Sequence, residues 1–372
     1  MIDSDPLSIL ADLIGIPSVE REAEVASYLA SRFDDLSIPY AITEIGGEGR
    51  CNITAVWGEG RPAVILNSHM DTVPAGDAVL WTGDPFVPRT LEGRLYGRGA
   101  CDAKGPLAAM VAAVERIVRS GRNPGGRIVL MAVGAEETAG RGTEIEVEKG
   151  VEADAAVVGE PTDLRVCVCH KGVLRLRLRT RGRAVHASEP WNGANAVTAM
   201  APVVTAMDEL AGRISARRHP LLGRASLAVT TIRGGTARNV VPPSCKAGLD
   251  RRLLPEEDVE LAEAEIRSVA EPLGAEVDRE LVAEAAETPA AESVVRRALE
   301  ARRAVLGDAG APEGFTACCD MRFLTNQARV PAIILGPGSI AQAHNADEYV
   351  SIGQLEAAAR VYEALIRGLL EE

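Results

Sequence analysis

Four short apolar runs, separated by segments with helical periodicity, constrain the fold of this chain more than any other feature. The runs occupy residues 62–68, 127–134, 154–159 and 331–335, and they lack the polar alternation of a half-exposed strand. Continuous runs of Val, Ile and Leu are typical of strands that are covered on both faces. Their alternation with helices predicts an α/β fold in which helices cover both faces of a mostly parallel sheet.

The pattern changes near residue 173. Residues 174–179 alternate strictly between Leu and Arg, which is typical of a strand in an antiparallel sheet with one exposed face. Helical and strand-like segments then follow as far as residue 285. We therefore predict a catalytic domain of residues 1–172 and 286–372, and an inserted α+β domain of residues 173–285, a typical size for a small domain.

A side chain that can bind a metal follows each of the four apolar runs. These side chains are His69, the Glu136–Glu137 pair, Glu160 and, after a short loop, His344. In open α/β sheets, ligands bind in the crevice outside the carboxyl ends of the strands. The four positions therefore predict one shared site, and Asp102, in a Gly-rich loop before an apolar helix, can lie at the same edge.

The number of carboxylates predicts a metal site, because acids in one crevice would repel one another unless a cation were bound. Two His with three or four carboxylates suit zinc, and cobalt or manganese can substitute. The ligand count fits two metals better than one, with the two oxygens of Asp102 as the bridge and a shared water as the nucleophile.

Two further roles follow from local geometry. Neighbouring residues in extended chain point opposite ways, so one of Glu136 and Glu137 is predicted to be a ligand and the other a general base. Asp71 points the same way as His69, two residues earlier, and is predicted to orient its ring.

These motifs resemble those of the M20 family of zinc amidohydrolases and peptidases, which includes acetylornithine deacetylase and succinyl-diaminopimelate desuccinylase. The resemblance covers nearly the whole chain. The matching stretches are residues 69–74, 97–105, 136–137, 159–162, 170–172, 239–242 and 336–344.

The resemblance implies specific roles for the site residues. It places His69, Asp102 and Glu160 on one zinc, and Asp102, Glu137 and His344 on the other. It makes Glu136 the general base and Asp71 the residue that orients His69. It also implies that the inserted domain is a lid that forms a homodimer, in which His186 stabilises the oxyanion and Asn239 contacts the substrate.

The substrate stays open at this level. Arg252 and Arg322 could each bind a carboxylate through a bidentate pair, or could form ordinary ion pairs with the many acidic residues; Gly338 is a further predicted substrate contact. The resemblance implies hydrolysis of an N-acyl amino acid, as in the deacetylase. Alternatives are cleavage of a dipeptide or a C-terminal residue, desuccinylation, or an inactive zinc-stabilised binding protein. The stretch of residues 315–320, with its Cys318–Cys319 pair, departs from both the deacetylase and the desuccinylase pattern.

Charge and composition exclude several other functions. A formal net charge of −13 disfavours nucleic acid and anionic membranes as partners. No apolar run approaches the roughly 20 residues that span a bilayer, and residues 1–5 lack the order of a signal peptide. Seven Cys without framework spacing favour a reducing compartment, so a cytoplasmic location is expected.

Overall fold

The structure is a computed structural model that describes residues 4–138 and 140–370. Its helices are α1 (Pro6–Ile14), α2 (Ala23–Asp35), α3 (Lys104–Arg119), α4 (Arg141–Glu148), α5 (Ala196–Ile214), α6 (Val259–Ala270), α7 (Ser293–Leu306) and α8 (Ile352–Leu370). Its strands are β1 (Tyr40–Glu44), β2 (Cys51–Gly58), β3 (Ala63–His69), β4 (Arg89–Leu91), β5 (Arg94–Tyr96), β6 (Arg127–Val133), β7 (Ala155–Val158), β8 (Cys167–His170), β9 (Gly172–Arg181), β10 (Arg218–His219), β11 (Gly223–Arg224), β12 (Ser226–Gly234), β13 (Ser244–Leu253), β14 (Glu276–Ala283), β15 (Ala286–Glu287), β16 (Glu313–Phe315), β17 (Ala332–Ile334) and β18 (Tyr349–Ser351). Short 3₁₀ turns lie at Ala78–Leu80, Pro190–Asn192 and Glu271–Leu273, and a π-helical turn lies at Phe323–Gln327.

The chain forms two compact units. The first comprises Met1–Val168, Glu287–Phe315 and Cys319–Glu372, and the second comprises Cys169–Ala286 and Thr316–Cys318. The chain leaves the first unit within β8 and returns to it within β15. The lid and dimerisation roles of residues 173–285 stay predictions, because compactness alone shows neither role.

The first unit is built on a large mixed sheet whose strands follow the order β1-β2-β6-β3-β7-β17-β8-β15, with β16 beside β8. Its centre is parallel: β3 pairs with β6 on one side and with β7 on the other, and β17 pairs in parallel with β7. These four central strands are the four apolar runs of the sequence, so the predicted α/β fold with a mostly parallel sheet is confirmed. Strands β1, β2 and β8 join the sheet antiparallel to their neighbours.

Helices bury the central strands. Every residue of β3 is buried, and α3 is buried along almost its whole length, as expected for a helix whose residues 105–114 are apolar on all sides. Helix α3 packs against α1, α8 and β3, and α7 packs against α8, while α2 contacts β2 and α4 contacts β6. This packing fixes the carboxyl ends of the central strands on which the site is built.

The second unit contains a four-stranded antiparallel sheet in the order β12-β13-β9-β14. Strand β9 holds the Leu–Arg alternation, and from Leu174 to Leu178 its Leu side chains are buried while its Arg side chains are exposed or half-buried. Helix α5 packs against β12, β13 and β9, so the buried face of this sheet lies under a helix. Across the described residues, no helix is both long enough and apolar enough to cross a membrane.

Candidate metal and catalytic centre

The carboxyl ends of the parallel strands carry the predicted site residues. His69 is the last residue of β3, and its neighbours β6 and β7 lead directly into Glu136–Glu137 and Glu160. His344 lies in the loop after β17, with a backbone φ of 64°. Because adjacent parallel strands end at the same edge, residues far apart in the sequence meet there.

Among the described residues, two groups of metal-binding side chains gather at this edge. His69, Asp102 and Glu160 each offer an atom within 4.8 Å of the others, and so do Asp102, Glu137 and His344. Asp102 belongs to both groups. Its Oδ1 lies 3.2 Å from Nε2 of His69 and its Oδ2 lies 3.3 Å from Nε2 of His344, so each oxygen of one carboxylate faces a different group.

The electrostatics of the site favour positive charge. Burial opposes protonation of His69, but its hydrogen bond to Asp102 and the charges of Asp71 and Glu160 raise its pKa well above the ordinary value. Hydrogen bonds to Asp102 and Glu137 raise the pKa of His344 to about 10. Burial alone would raise the pKa of Asp102, yet its hydrogen bonds to His344 and His69 lower it.

The pKa values of two other acids, Glu136 and Glu160, are shifted in the opposite direction. Burial, followed by the negative charge of Asp320, raises the pKa of Glu136 well above the ordinary range. Burial and the charge of Asp102 do the same for Glu160. A crowded cluster of acids holds protons until a cation takes their place, and metal binding releases such protons.

These donors fit a pair of divalent cations. Each group offers one imidazole nitrogen and carboxylate oxygens, the ligand types that zinc, cobalt and manganese share. Asp102 is only 7% exposed and directs one oxygen to each group, as a bridging carboxylate must. Among the described residues, Glu136 belongs to neither group, which leaves its carboxylate for proton transfer.

Asp71 contacts the site in two ways. Nδ1 of His69 lies 2.9 Å from the main-chain carbonyl oxygen of Asp71 and 3.6 Å from Oδ1 of its carboxylate. The carboxylate instead accepts hydrogen bonds from the backbone N–H groups of Glu136, at 3.2 Å, and Glu137, at 3.1 Å. Asp71 therefore contacts both the His69 ring and the turn that carries Glu136 and Glu137, and its role in orienting them stays a prediction.

Asp71→Asn is expected to lower kcat/KM by about 10- to 100-fold, the usual cost of losing a residue that supports metal ligands. The amide presents one oxygen and one NH₂ group to two N–H donors, so one hydrogen bond to the turn is lost. His69→Ala, which removes a ligand atom, should cost more. The measurement is kcat/KM for both variants with metal content by elemental analysis, and equal losses in both would contradict this division of roles.

Sequence reasoning gave no role to two buried acids beside the site. Asp320 is 1% exposed, and its Oδ2 accepts a 2.6 Å hydrogen bond from the Thr143 hydroxyl. Glu348 is completely buried and lies four positions after His344. Neither acid follows an apolar run, although the closeness of Glu348 to His344 was a signal that could have directed attention to it.

The predicted substrate residues of the first unit have clear structural surroundings. Gly338 adopts φ +86°, and a Cβ atom there would lie 2.6 Å from the Cβ of Cys101, so the turn requires glycine. Arg322 is 8% exposed, donates to the Cys319 carbonyl at 3.1 Å and lies 4.2 Å from the centre of the Phe323 ring. Their contact with substrate stays a prediction.

The other predicted residues lie in the second unit. The segments of His186 and Asn239 are adjacent there, since His186 bridges to Val240 and the Ala187 N–H donates to the Asn239 carbonyl at 2.9 Å. His186 is exposed, and its Nδ1 lies 2.6 Å from the Ser188 hydroxyl. Arg252 donates to Asp250 at 2.7 Å, the ordinary ion pair that the sequence allowed. The roles of all three residues in catalysis or binding stay predictions.

Comparison with known proteins agrees with this geometry. The sequence profile described as "Peptidase family M20/M25/M40" matches residues 65–368. The chain is 30% identical over 377 residues to acetylornithine deacetylase of Proteus mirabilis, covering 97% of this chain and 95% of that protein. It is 28% identical over 410 residues to the probable succinyl-diaminopimelate desuccinylase of Staphylococcus epidermidis, covering 100% and 99% of the two chains.

Structural comparison gives the same fold. The M20 family metallo-carboxypeptidase of Sulfolobus solfataricus superposes with a TM-score of 0.84 at 19% identity, covering 100% of both chains. The profile match extends over most of the chain and includes all five predicted metal ligands, from His69 to His344. The chain therefore belongs to the M20/M25/M40 peptidase family and is a hydrolase of amide bonds.

Proposed function

We propose that the protein is a dinuclear metal hydrolase that cleaves the amide bond of an N-acyl amino acid. The observation that carries this proposal is the pair of donor groups that share Asp102, with Glu136 beside Glu137 but outside both groups. One metal would need only one of these groups. A bridging acid together with an adjacent free acid suits amide hydrolysis by a metal-activated water, because the bridge can hold two metals and the free acid can act as general base.

The chain's own residues supply the proton transfers. Two divalent cations held by these groups would polarise the substrate carbonyl and lower the pKa of the attacking water. Glu136 accepts the proton of the attacking water. Once protonated, Glu136 donates to the nitrogen of the breaking C–N bond, so that the products are a free amino acid and a carboxylate. The Asp71 carboxylate holds Glu136 in place by accepting a hydrogen bond from the Glu136 backbone N–H.

Several finer features belong to this proposal. We expect zinc as the metal, with cobalt or manganese able to substitute, because the mixed His and carboxylate ligand set suits these ions. His186 is expected to stabilise the oxyanion, and the second unit is expected to form the interface of a homodimer. The odd number of Cys, seven, supports a reducing, cytoplasmic environment.

The relatives support an N-acyl amino acid as the substrate class. Two proteins that match almost the whole chain are named as a deacetylase and a desuccinylase, and both names describe removal of an acyl group from an amine. Cleavage of unmodified dipeptides on the same groups is the second candidate. It is favoured by the departure of residues 315–320, including Cys318–Cys319, from the pattern of both acyl hydrolases.

A hydrolysis panel tests the proposal. Zinc- or cobalt-loaded protein should release free amine from N-acetyl or N-succinyl amino acids faster than from dipeptides, measured by an amine-reactive dye. A chelator should abolish turnover and added zinc should restore it. Faster turnover of dipeptides than of N-acyl amino acids would instead identify the protein as a peptidase. If protein with two bound metals hydrolysed no member of the panel, the proposed activity would be contradicted.

A further inference from the structure

Glu348 ties the loop that carries His344 to the loop that carries Asp102. Its Oε1 accepts from the backbone N–H groups of Cys101, at 2.9 Å, and Asp102, at 3.1 Å. Its Oε2 accepts from the Gly99 N–H at 3.0 Å and from Nη1 of Arg98 at 2.6 Å. All four donors come from residues 98–102. The Glu348 carboxylate therefore holds together the turn that ends at Asp102.

Arg98, the side-chain partner of Glu348, is itself held in place. The Arg98 guanidinium is 2% exposed, lies 5.1 Å from the Trp81 ring and donates to the carbonyl oxygens of Pro74, at 3.4 Å, and Ala75, at 3.5 Å. This connects the turn to the segment that follows His69 and Asp71. Charge-assisted hydrogen bonds of this kind are the strong ones, and a buried partner left unpaired is costly.

Among the described residues, Glu348 belongs to neither donor group, yet it contacts the backbone of the acid that the two groups share. Glu348 lies four residues from His344 and accepts from the backbone N–H of Asp102 itself. The distance from Nε2 of His344 to Asp102, 3.3 Å, depends on how these two loops are held together. A loop movement of even half an ångström would change the angle at which each Asp102 oxygen faces its donor group, and metal affinity responds to such changes.

We propose that Glu348 is a positioning residue that sets the Asp102 bridge between the two metal-binding groups. This inference rests on the proposed dinuclear site. Because Asp102 belongs to both groups, loss of Glu348 should weaken both metals together, whereas loss of a ligand that belongs to one group should weaken one metal. That pattern separates a positioning role from direct ligation.

The test uses Glu348→Gln on the full chain. Gln turns an NH₂ group toward backbone N–H donors and removes the charge that pairs with Arg98. We expect affinity for both zinc ions to fall by about 10- to 100-fold, measured by competition with a chromophoric chelator. The visible spectrum of the cobalt-loaded protein should change as well, since it reports ligand geometry independently of turnover.

Glu115→Gln is the matched control. Glu115 is also a completely buried carboxylate of the first unit, paired with Arg32 at 2.7 and 2.9 Å, but its partners include none of the metal ligands. Both variants should unfold at a lower temperature than the wild type, while only Glu348→Gln should lose metal affinity. Equal losses of metal affinity in both variants, or wild-type affinity and spectrum in Glu348→Gln, would overturn the inference.

A second variant, Glu348→Asp, tests the inference if Glu348→Gln does not fold. Glu348→Asp keeps the charge beside Arg98 but cannot reach every donor of residues 98–102, so it should fold and still bind both metals more weakly. Wild-type affinity in a folded Glu348→Asp protein would overturn the inference in that case. If the wild-type protein itself bound fewer than two metals, the proposed dinuclear site would fail instead, independently of Glu348.

Discussion

Glu136→Gln is expected to lower kcat by about 10³-fold, within the range attributed to a general base, while both metals stay bound. The amide cannot accept the proton of the attacking water or deliver one to the leaving amine. Glu136 is half-buried, and burial and the negative charge of Asp320 raise its pKa.

The neighbouring residue supplies the control for this variant. Glu137→Gln removes a member of the Asp102–Glu137–His344 group, so it should lose metal as well as activity. Turnover and metal content, by elemental analysis, are measured on both proteins. Near-wild-type turnover of Glu136→Gln would remove the general-base role, and loss of metal from Glu136→Gln alone would exchange the roles of the two residues.

The sequence predicted the frame of the site because its signals are local. Each central strand is a short apolar run; three of these runs are followed within two residues by a side chain that can bind metal, and the fourth leads through a short loop to His344. Parallel pairing of β6, β3, β7 and β17 then brings these ends together, a consequence of sheet geometry that requires no knowledge of individual contacts. The two donor groups that the resemblance implied are also the groups that the structure brings together.

Features that depend on distant contacts could not be predicted in this way. Strands β4, β5 and β18 have three residues each and form a separate small sheet, in which Tyr349 pairs with Tyr96. Strands this short are stabilised by their partner and not by their own propensity. The contacts of Glu348 also depend on distant parts of the chain and could not be predicted, since its four donors lie about 250 positions earlier.

Asp71 shows how local reasoning can find a residue and still miss part of its role. The i, i+2 spacing correctly placed Asp71 beside His69. It could not show that the main-chain carbonyl of Asp71 lies 2.9 Å from Nδ1, or that the carboxylate accepts from the Glu136 and Glu137 N–H groups. Those donors lie at the end of another strand, and only the assembled sheet brings them within reach.

His344→Ala is expected to remove one metal per chain and with it nearly all activity. Nε2 of His344 lies 3.1 Å from Glu137 and 3.3 Å from Asp102, so its loss leaves only two carboxylates in that group. The group formed by His69, Asp102 and Glu160 keeps all its members. His344 is also the most accessible ligand, with 54% of its side chain exposed, so the substitution should leave the buried packing intact.

His186→Ala is the matched control, because it removes an exposed histidine that belongs to neither donor group. Elemental analysis after dialysis should give one metal per chain for His344→Ala and two for His186→Ala and the wild type. Circular dichroism should show all three proteins folded. Two tightly bound metals in His344→Ala would contradict the ligand assignment, and because Asp102 and Glu137 would then suffice without an imidazole, the two-group interpretation of the site would have to be replaced.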